Sequence, residues 1–246
     1  MGLTMSRVIK EPLLNTYHQI AKWYLTPWLR RQWLRRTAAR INERPVEYGF
    51  ALRWLATLCP ERVLDVGSGL SAWPELVADC GYCVTAIDEP SQYWRGRVAF
   101  NRHYYVIRDD ITRPRLAGQF DCITCISVLE HILDHHAAMR GMFSLLKVGG
   151  HLLLTFPYHE NQYVGNAYRA PGVEPPQHPD DLCQVFSHHE LADWLRQNPG
   201  RIVAQEYYQI FRGPHWGIGE RLRPSRHVNP TELYHLTCLL IQKEPA

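Results

Sequence analysis

Arg62-Val-Leu-Asp-Val-Gly-Ser-Gly-Leu-Ser71 decides how the rest of this 246-residue chain is read. Val63, Leu64 and Val66 make a short apolar run of the kind buried in a sheet, with Asp65 at its polar end. Gly67-Ser68-Gly69 turns the chain sharply, and Ser71-Ala72-Trp73-Pro74 predicts a helix start with a capping hydroxyl and an early proline. A strand, a glycine turn and a helix N-terminus bring backbone N–H groups to one spot at the carboxyl end of a parallel sheet. Such a spot suits a bound cofactor. The turn is GxG, with alanine at position 72, rather than the full GxGxxG. A carboxylate at position 65 would repel a pyrophosphate, yet it accepts hydrogen bonds from an ammonium group.

Outward from this stretch the pattern alternates between strands and helices. Tyr48 to Leu58 predicts a helix leading into the first strand, and Pro74 to Cys80 the helix after it. Tyr82–Ile87 reads as the second strand, ending at Asp88, which lies 21 residues beyond Gly67. Ser91–Phe100 reads as a helix, and Tyr104–Ile107 as the third strand, followed by Asp109-Asp110-Ile111. Phe120–Ile126 is a mostly apolar central strand with Ser127-Val-Leu-Glu-His131 at its carboxyl end. A helix from about Asp134 to Leu146, a turn over Lys147–Gly150 and a fifth strand His151–Phe156 come next. Ser187 with Glu190 three residues later is a capping box for a helix running to Gln197. Ile202–Phe211 and Tyr234–Gln242 complete the sheet.

Length and composition suit one α/β domain with decorations: 46% hydrophobic and 21% charged residues are ordinary for a soluble protein. The N-terminus lacks the apolar core of a secretory signal, and seven scattered cysteines suit a reduced, cytoplasmic protein. Cys80-x-x-Cys83 and Cys122-x-x-Cys125 imitate a zinc ribbon. Cys122 and Cys125 lie three apart in a period-two strand, however, and so point to opposite faces. The net charge of +3 divides unevenly: residues 1–45 carry +7 and the remainder −4. A basic, Trp-bearing leader can meet anionic lipid, nucleic acid or an acidic substrate, and a weak membrane-surface contact through residues 16–44 is one reading of it. A helical lid is the other. No interleaved aromatic–basic RNA motif accompanies the leader.

VLDVGSG resembles motif I of the class I S-adenosylmethionine-dependent methyltransferases. The resemblance continues through Ala86-Ile87-Asp88, Asp109-Asp110-Ile111, Phe120–His131 and Leu146–Pro157, and covers residues 46–157 in order. The "SVLEH" segment is nearest in texture to the small-molecule methyltransferases, including those acting on sugars and glycans. It implies a Rossmann-like, seven-stranded, mostly parallel sheet with helices on both faces. An N-terminal helical extension over 1–45 precedes the methyltransferase domain over 46–246, and acceptor-binding insertions fall at 157–186 and 212–233. S-adenosyl-L-methionine is the implied cofactor. Asp65, Gly67, Ser68 and Gly69 would surround its methionine part, Asp88 its ribose, and Asp110 and Ile111 its adenine, with Ile126 and Ser127 lining it from the other side.

The implied reaction is O-methylation of a small-molecule or sugar hydroxyl. His131 is the candidate general base, because methyl transfer to a hydroxyl needs in-line placement and removal of one proton. Tyr158 and His159 are the residues expected to face the acceptor. In small-RNA 2′-O-methyltransferases a related segment carries a Glu where this chain has Ser127; that family's second carboxylate and histidine match Glu130 and His131, but with the first absent no metal ligand is assigned here. An RNA methyltransferase and a non-catalytic cofactor-binding partner remain the alternatives.

Overall fold

The computed structural model describes residues 16–27, 41–69, 71–89, 106–173 and 180–245. The expected helix over 91–100 and most of the N-terminal extension over 1–45 lie outside them. Two compact units divide between Asn42 and Glu43. The first holds helix α1, residues 16–27. The second holds an eight-stranded sheet in the order β3-β2-β1-β4-β5-β8-β6-β7.

Around the glycine turn, β1 (Arg62–Val66) lies parallel between β2 (Cys83–Asp88) and β4 (Phe120–Ile126). Strand order reverses there: β2 leads outward to β3 (Val106–Arg108), while β4 pairs parallel with β5 (Leu146–Pro157). A crevice therefore opens at the carboxyl ends of β1 and β4, where open α/β sheets bind ligands. β8 (Leu236–Lys243) runs antiparallel between β5 and β6 (Gly200–Phe211).

Alternation along the strands builds two cores, one on each face. Val63 and Cys122 join Phe50, Leu55 and Trp73 beneath α2 (Arg44–Leu58) and α3 (Trp73–Asp79). Leu64 and Cys125 join Met139, Met142 and Trp194 beneath α4 (His135–Leu145) and α5 (His188–Gln197). The two strand cysteines thus belong to separate cores. At Gly141 a Cβ would lie 1.8 Å from the Ile111 carbonyl oxygen, so only glycine lets α4 approach the loop beside the crevice.

Four local expectations need correction. The sheet has eight strands rather than seven, because Arg221–Val228 forms β7, antiparallel to β6, inside the segment read as a loop over 212–233. Arg221, Arg223, Pro224 and Arg226 hide it from pattern reading. As an edge strand it needs only backbone pairing on one side, and edges tolerate proline and charge. β5 begins at Leu146, so Lys147–Gly150 belongs to the strand. α2 begins at Arg44, four residues before the expected start. Ser71 precedes the N-cap, Ala72, and its hydroxyl accepts the Trp73 N–H at 3.4 Å. The Ser187–Glu190 capping box is complete: Ser187 accepts from the helix backbone, and Glu190 accepts the Ser187 N–H at 2.8 Å.

Candidate functional site

A cleft of about 230 Å³ lies over the carboxyl ends of β1, β2 and β3 and is lined by Gly67, Asp88, Asp110, Ile111, Val128 and His131, among others. Gly67 occupies φ +74°, and a Cβ there would lie 2.3 Å from Val128 Cγ1; any side chain would have to displace the cleft wall. Gly69 donates its N–H to Asp88 Oδ2 at 2.6 Å, which locks the glycine turn to the tip of β2.

The paired aspartates after β3 divide their work. Asp109 is buried, and its carboxylate accepts the backbone N–H groups of Asp110, Arg115 and Leu116. Burial alone would raise its pKa; the three donors outweigh it and hold the carboxyl below the usual range. Asp109 therefore shapes the loop. Asp110 is exposed at the cleft, where it accepts the Thr112 N–H and hydroxyl, both at 2.8 Å.

Asp65, Ser68, Ile126 and Ser127 are buried behind this cleft. Thr124 donates its hydroxyl to Asp65 at 2.7 Å, and Trp73 Nε1 donates to Thr124 at 3.1 Å. Burial pushes the Asp65 carboxyl up to about 7, with the Thr124 hydroxyl opposing and the charge of Asp88 adding to the rise. Arg44 and Glu47, which pattern reading missed, complete this end. Arg44 Nη1 donates to the Ile126 carbonyl at 2.9 Å and to Glu47 at 3.2 Å. Glu47 is fully buried and accepts the hydroxyls of Ser127 at 2.5 Å and Thr155 at 2.7 Å. The proline after Arg44, early in α2, was the only local signal for this constellation.

Leu129–His131 forms a 3-10 turn after β4. His131 Nδ1 bonds the Leu182 carbonyl, an acceptor only, so Nδ1 carries the proton and Nε2 keeps the lone pair. Desolvation lowers the His131 pKa, partly countered by that carbonyl, and the ring is neutral at pH 7. Glu130 is buried, and desolvation raises its pKa well above the carboxylate range. Its Oε2 and the Ser68 hydroxyl have no hydrogen-bond partner among the described residues.

Tyr158 and His159 stand elsewhere. They line a second cavity of about 170 Å³ with Val164, Val185, Trp216 and Tyr234. The segment around Cys183 and Gln184 runs between the two hollows. Its Leu182 carbonyl and Gln184 N–H bond His131 and Glu130, while Cys183 and Val185 bond Ala167 and Val164 of the second cavity. Tyr158 and Tyr234 stack 6.0 Å apart and both donate to Glu160 Oε2. His235 Nδ1 accepts the Ile210 and Phe211 N–H groups, so its Nε2–H donates to the Gly213 carbonyl at 2.9 Å. This pins the 212–220 loop, with Trp216, to the cavity.

A model described as a methyltransferase domain matches residues 29–203. Among curated relatives, the ubiquinone biosynthesis O-methyltransferase of Xanthomonas axonopodis pv. citri is 39% identical over 179 residues, 68% of this chain and 73% of that protein. The enzyme of the same name from Albidiferax ferrireducens is 33% identical over 109 residues, 40% of this chain and 43% of that protein. The match thus spans less than half of that relative's length. Two solved structures share the fold. The N-methyltransferase NodS of Bradyrhizobium japonicum, in complex with S-adenosylhomocysteine, has a TM-score of 0.53 at 18% identity over 82% of this chain and 88% of that one. The Burkholderia thailandensis 1,6-didemethyltoxoflavin-N1-methyltransferase has a TM-score of 0.53 at 17% identity over 98% of this chain and 89% of that one. The chain belongs to the S-adenosylmethionine-dependent methyltransferases. The Gly67 wall, where a Cβ would lie 2.3 Å from Val128, leaves the cleft the space that such a cofactor needs.

Proposed function

We propose that this protein methylates a hydroxyl on a small, ring-bearing molecule, with His131 as the base. One observation carries the reading: His131 has one nitrogen tied to Leu182 and the other, basic, in the same cleft as Asp88. S-adenosylmethionine supplies the electrophilic methyl on its sulfonium, so the chain has only to align the two molecules and remove a proton. In this reading Asp88 accepts the ribose hydroxyls, while Asp110 and the Ile111 backbone read the adenine. Asp65 and Arg44 take the ammonium and carboxylate of the methionine part.

The Asp65 assignment has a sign that can be measured. Its carboxyl titrates near 7 in the folded chain against an ordinary 3.8, so it is largely protonated in mildly acidic solution and pairs poorly with an ammonium. Affinity for S-adenosylhomocysteine therefore rises from about pH 6 to about pH 8, and binding releases a proton at the lower pH. Calorimetry in buffers of different ionisation heat reads both. An affinity flat across this window removes Asp65 from the ammonium site.

In this reading the insertions at 157–186 and 212–233 hold the acceptor's ring in the second cavity, and the Leu182–Gln184 segment between that cavity and His131 has to give way for the acceptor's hydroxyl to reach the cleft. An apolar cavity near 150 Å³ holds one benzene-sized ring, and the second cavity here measures about 170 Å³. Tyr158, Trp216 and Tyr234 supply flat faces, and Val164, Val185 and Ile218 supply aliphatic walls. Tyr158, Tyr234 and His235 already spend their polar groups within the protein, which leaves His159, Gln162 and His215 for a ligand, so a flat ring with few hydroxyls fits better than a glycan. The O-methyl transfer in the names of the curated relatives points the same way. The test is production of S-adenosylhomocysteine with a panel of phenolic acids, free sugars and aromatic amines. Turnover confined to the phenolic acids supports the reading; turnover confined to sugars or amines overturns it.

A further inference from the structure

Helix α1 leaves its most hydrophobic side uncovered. Tyr17, Ile20, Trp23 and Tyr24 are 70%, 62%, 79% and 76% exposed. At 3.6 residues per turn these four side chains share an arc of about 120°. His18, Lys22 and Thr26 occupy the opposite side.

We infer that this helix docks on an anionic membrane surface, lying in its plane with the Tyr17–Ile20–Trp23–Tyr24 face toward the lipid. Three features select that occupant. Tryptophan and tyrosine join a flat apolar body to a polar tip, the combination favoured at headgroup depth over a dry protein core. Lys22 and His18 lie on the side that would remain in water. Finally, residues 1–45 carry nine Arg and Lys against two Glu, a charge that attracts anionic headgroups, whereas residues 46–246 sum to −4 and would be repelled. Among the described residues no helix is long and apolar enough to cross a membrane.

The experiment is flotation of the full-length protein with vesicles of phosphatidylcholine alone or of phosphatidylcholine with phosphatidylglycerol. The protein is expected to float with the phosphatidylglycerol vesicles only, and to be released at about 0.5 M salt, where exposed charges are screened beyond a few ångströms. Removing two aromatic anchors in the Trp23→Ser/Tyr24→Ser double variant is expected to weaken flotation about tenfold or more. The affinity of that variant for S-adenosylhomocysteine stays that of the wild type, since the residues proposed above to hold the cofactor all belong to the second unit. Failure of the wild type to float with phosphatidylglycerol vesicles overturns the inference, as does equal flotation with phosphatidylcholine alone or an undiminished double variant. A double variant that changes the oligomeric state by light scattering and leaves flotation intact assigns the face to a second copy of this chain instead.

Discussion

Replacing His131 with alanine lowers the methyl-transfer rate by about 10²- to 10⁴-fold, the usual worth of a positioned general base. Affinity for S-adenosylhomocysteine stays close to that of the wild type. The expectation rests on geometry. The Leu182 carbonyl accepts from Nδ1 and so fixes the tautomer, leaving Nε2 as the lone-pair nitrogen. Desolvation lowers the imidazole pKa below its ordinary 6.5, so the base is already neutral at physiological pH. The sign of the pH dependence follows. The neutral ring is the active form, and the rate falls as pH drops through the folded pKa, below 6.5. In the variant this acidic limb disappears together with the rate. A His131→Ala enzyme that keeps both its turnover and its acidic limb assigns the proton transfer to another group.

The second large effect belongs to Asp88. Asp88→Ala removes the acceptor that holds the Gly69 N–H at 2.6 Å and, in the proposed complex, the acceptor of the ribose hydroxyls. Hydrogen bonds to a charged partner are worth about 1.5–3 kcal/mol each. Loss of two of them raises the dissociation constant for S-adenosylhomocysteine by about 10²- to 10⁴-fold. Titration calorimetry measures this directly. Gly67→Ala reaches the same cleft by another route, since the added Cβ would lie 2.3 Å from Val128 Cγ1 in a φ +74° conformation that L side chains rarely adopt. An Asp88→Ala protein that folds and binds with wild-type affinity moves the nucleoside out of this cleft.

These two predictions differ in how much of their basis could be read in the chain. Asp88 and the glycine turn are local features. A buried strand, GxG and a helix start must be contiguous to make a binding turn, and the next strand tip follows at a nearly fixed distance, because one helix separates the two. The same holds for the Ser187–Glu190 cap, whose partners are three residues apart.

His131 was legible as a candidate from its place after the central strand, but its tautomer depends on a carbonyl 51 residues away. Arg44 and Glu47 were not legible at all. Their partners Ile126, Ser127 and Thr155 lie 80 to 108 residues along the chain, so no spacing rule could join them. Strand β7 escaped because an edge strand is held by backbone bonds and leaves no apolar alternation in its side chains.

Sequence by itself determined the α/β class, the glycine turn and the carboxylates around it, since each is written in neighbouring residues with a period or spacing that physics dictates. Tertiary structure alone decided that, of the two aspartates lining the cleft, Asp109 is buried on three backbone N–H groups while Asp110 is exposed. It alone separated Tyr158 and His159 from His131 into a second cavity. Each of those outcomes depends on which side of a side chain is left facing water after the chain has packed, a property of the folded contacts rather than of local residue order.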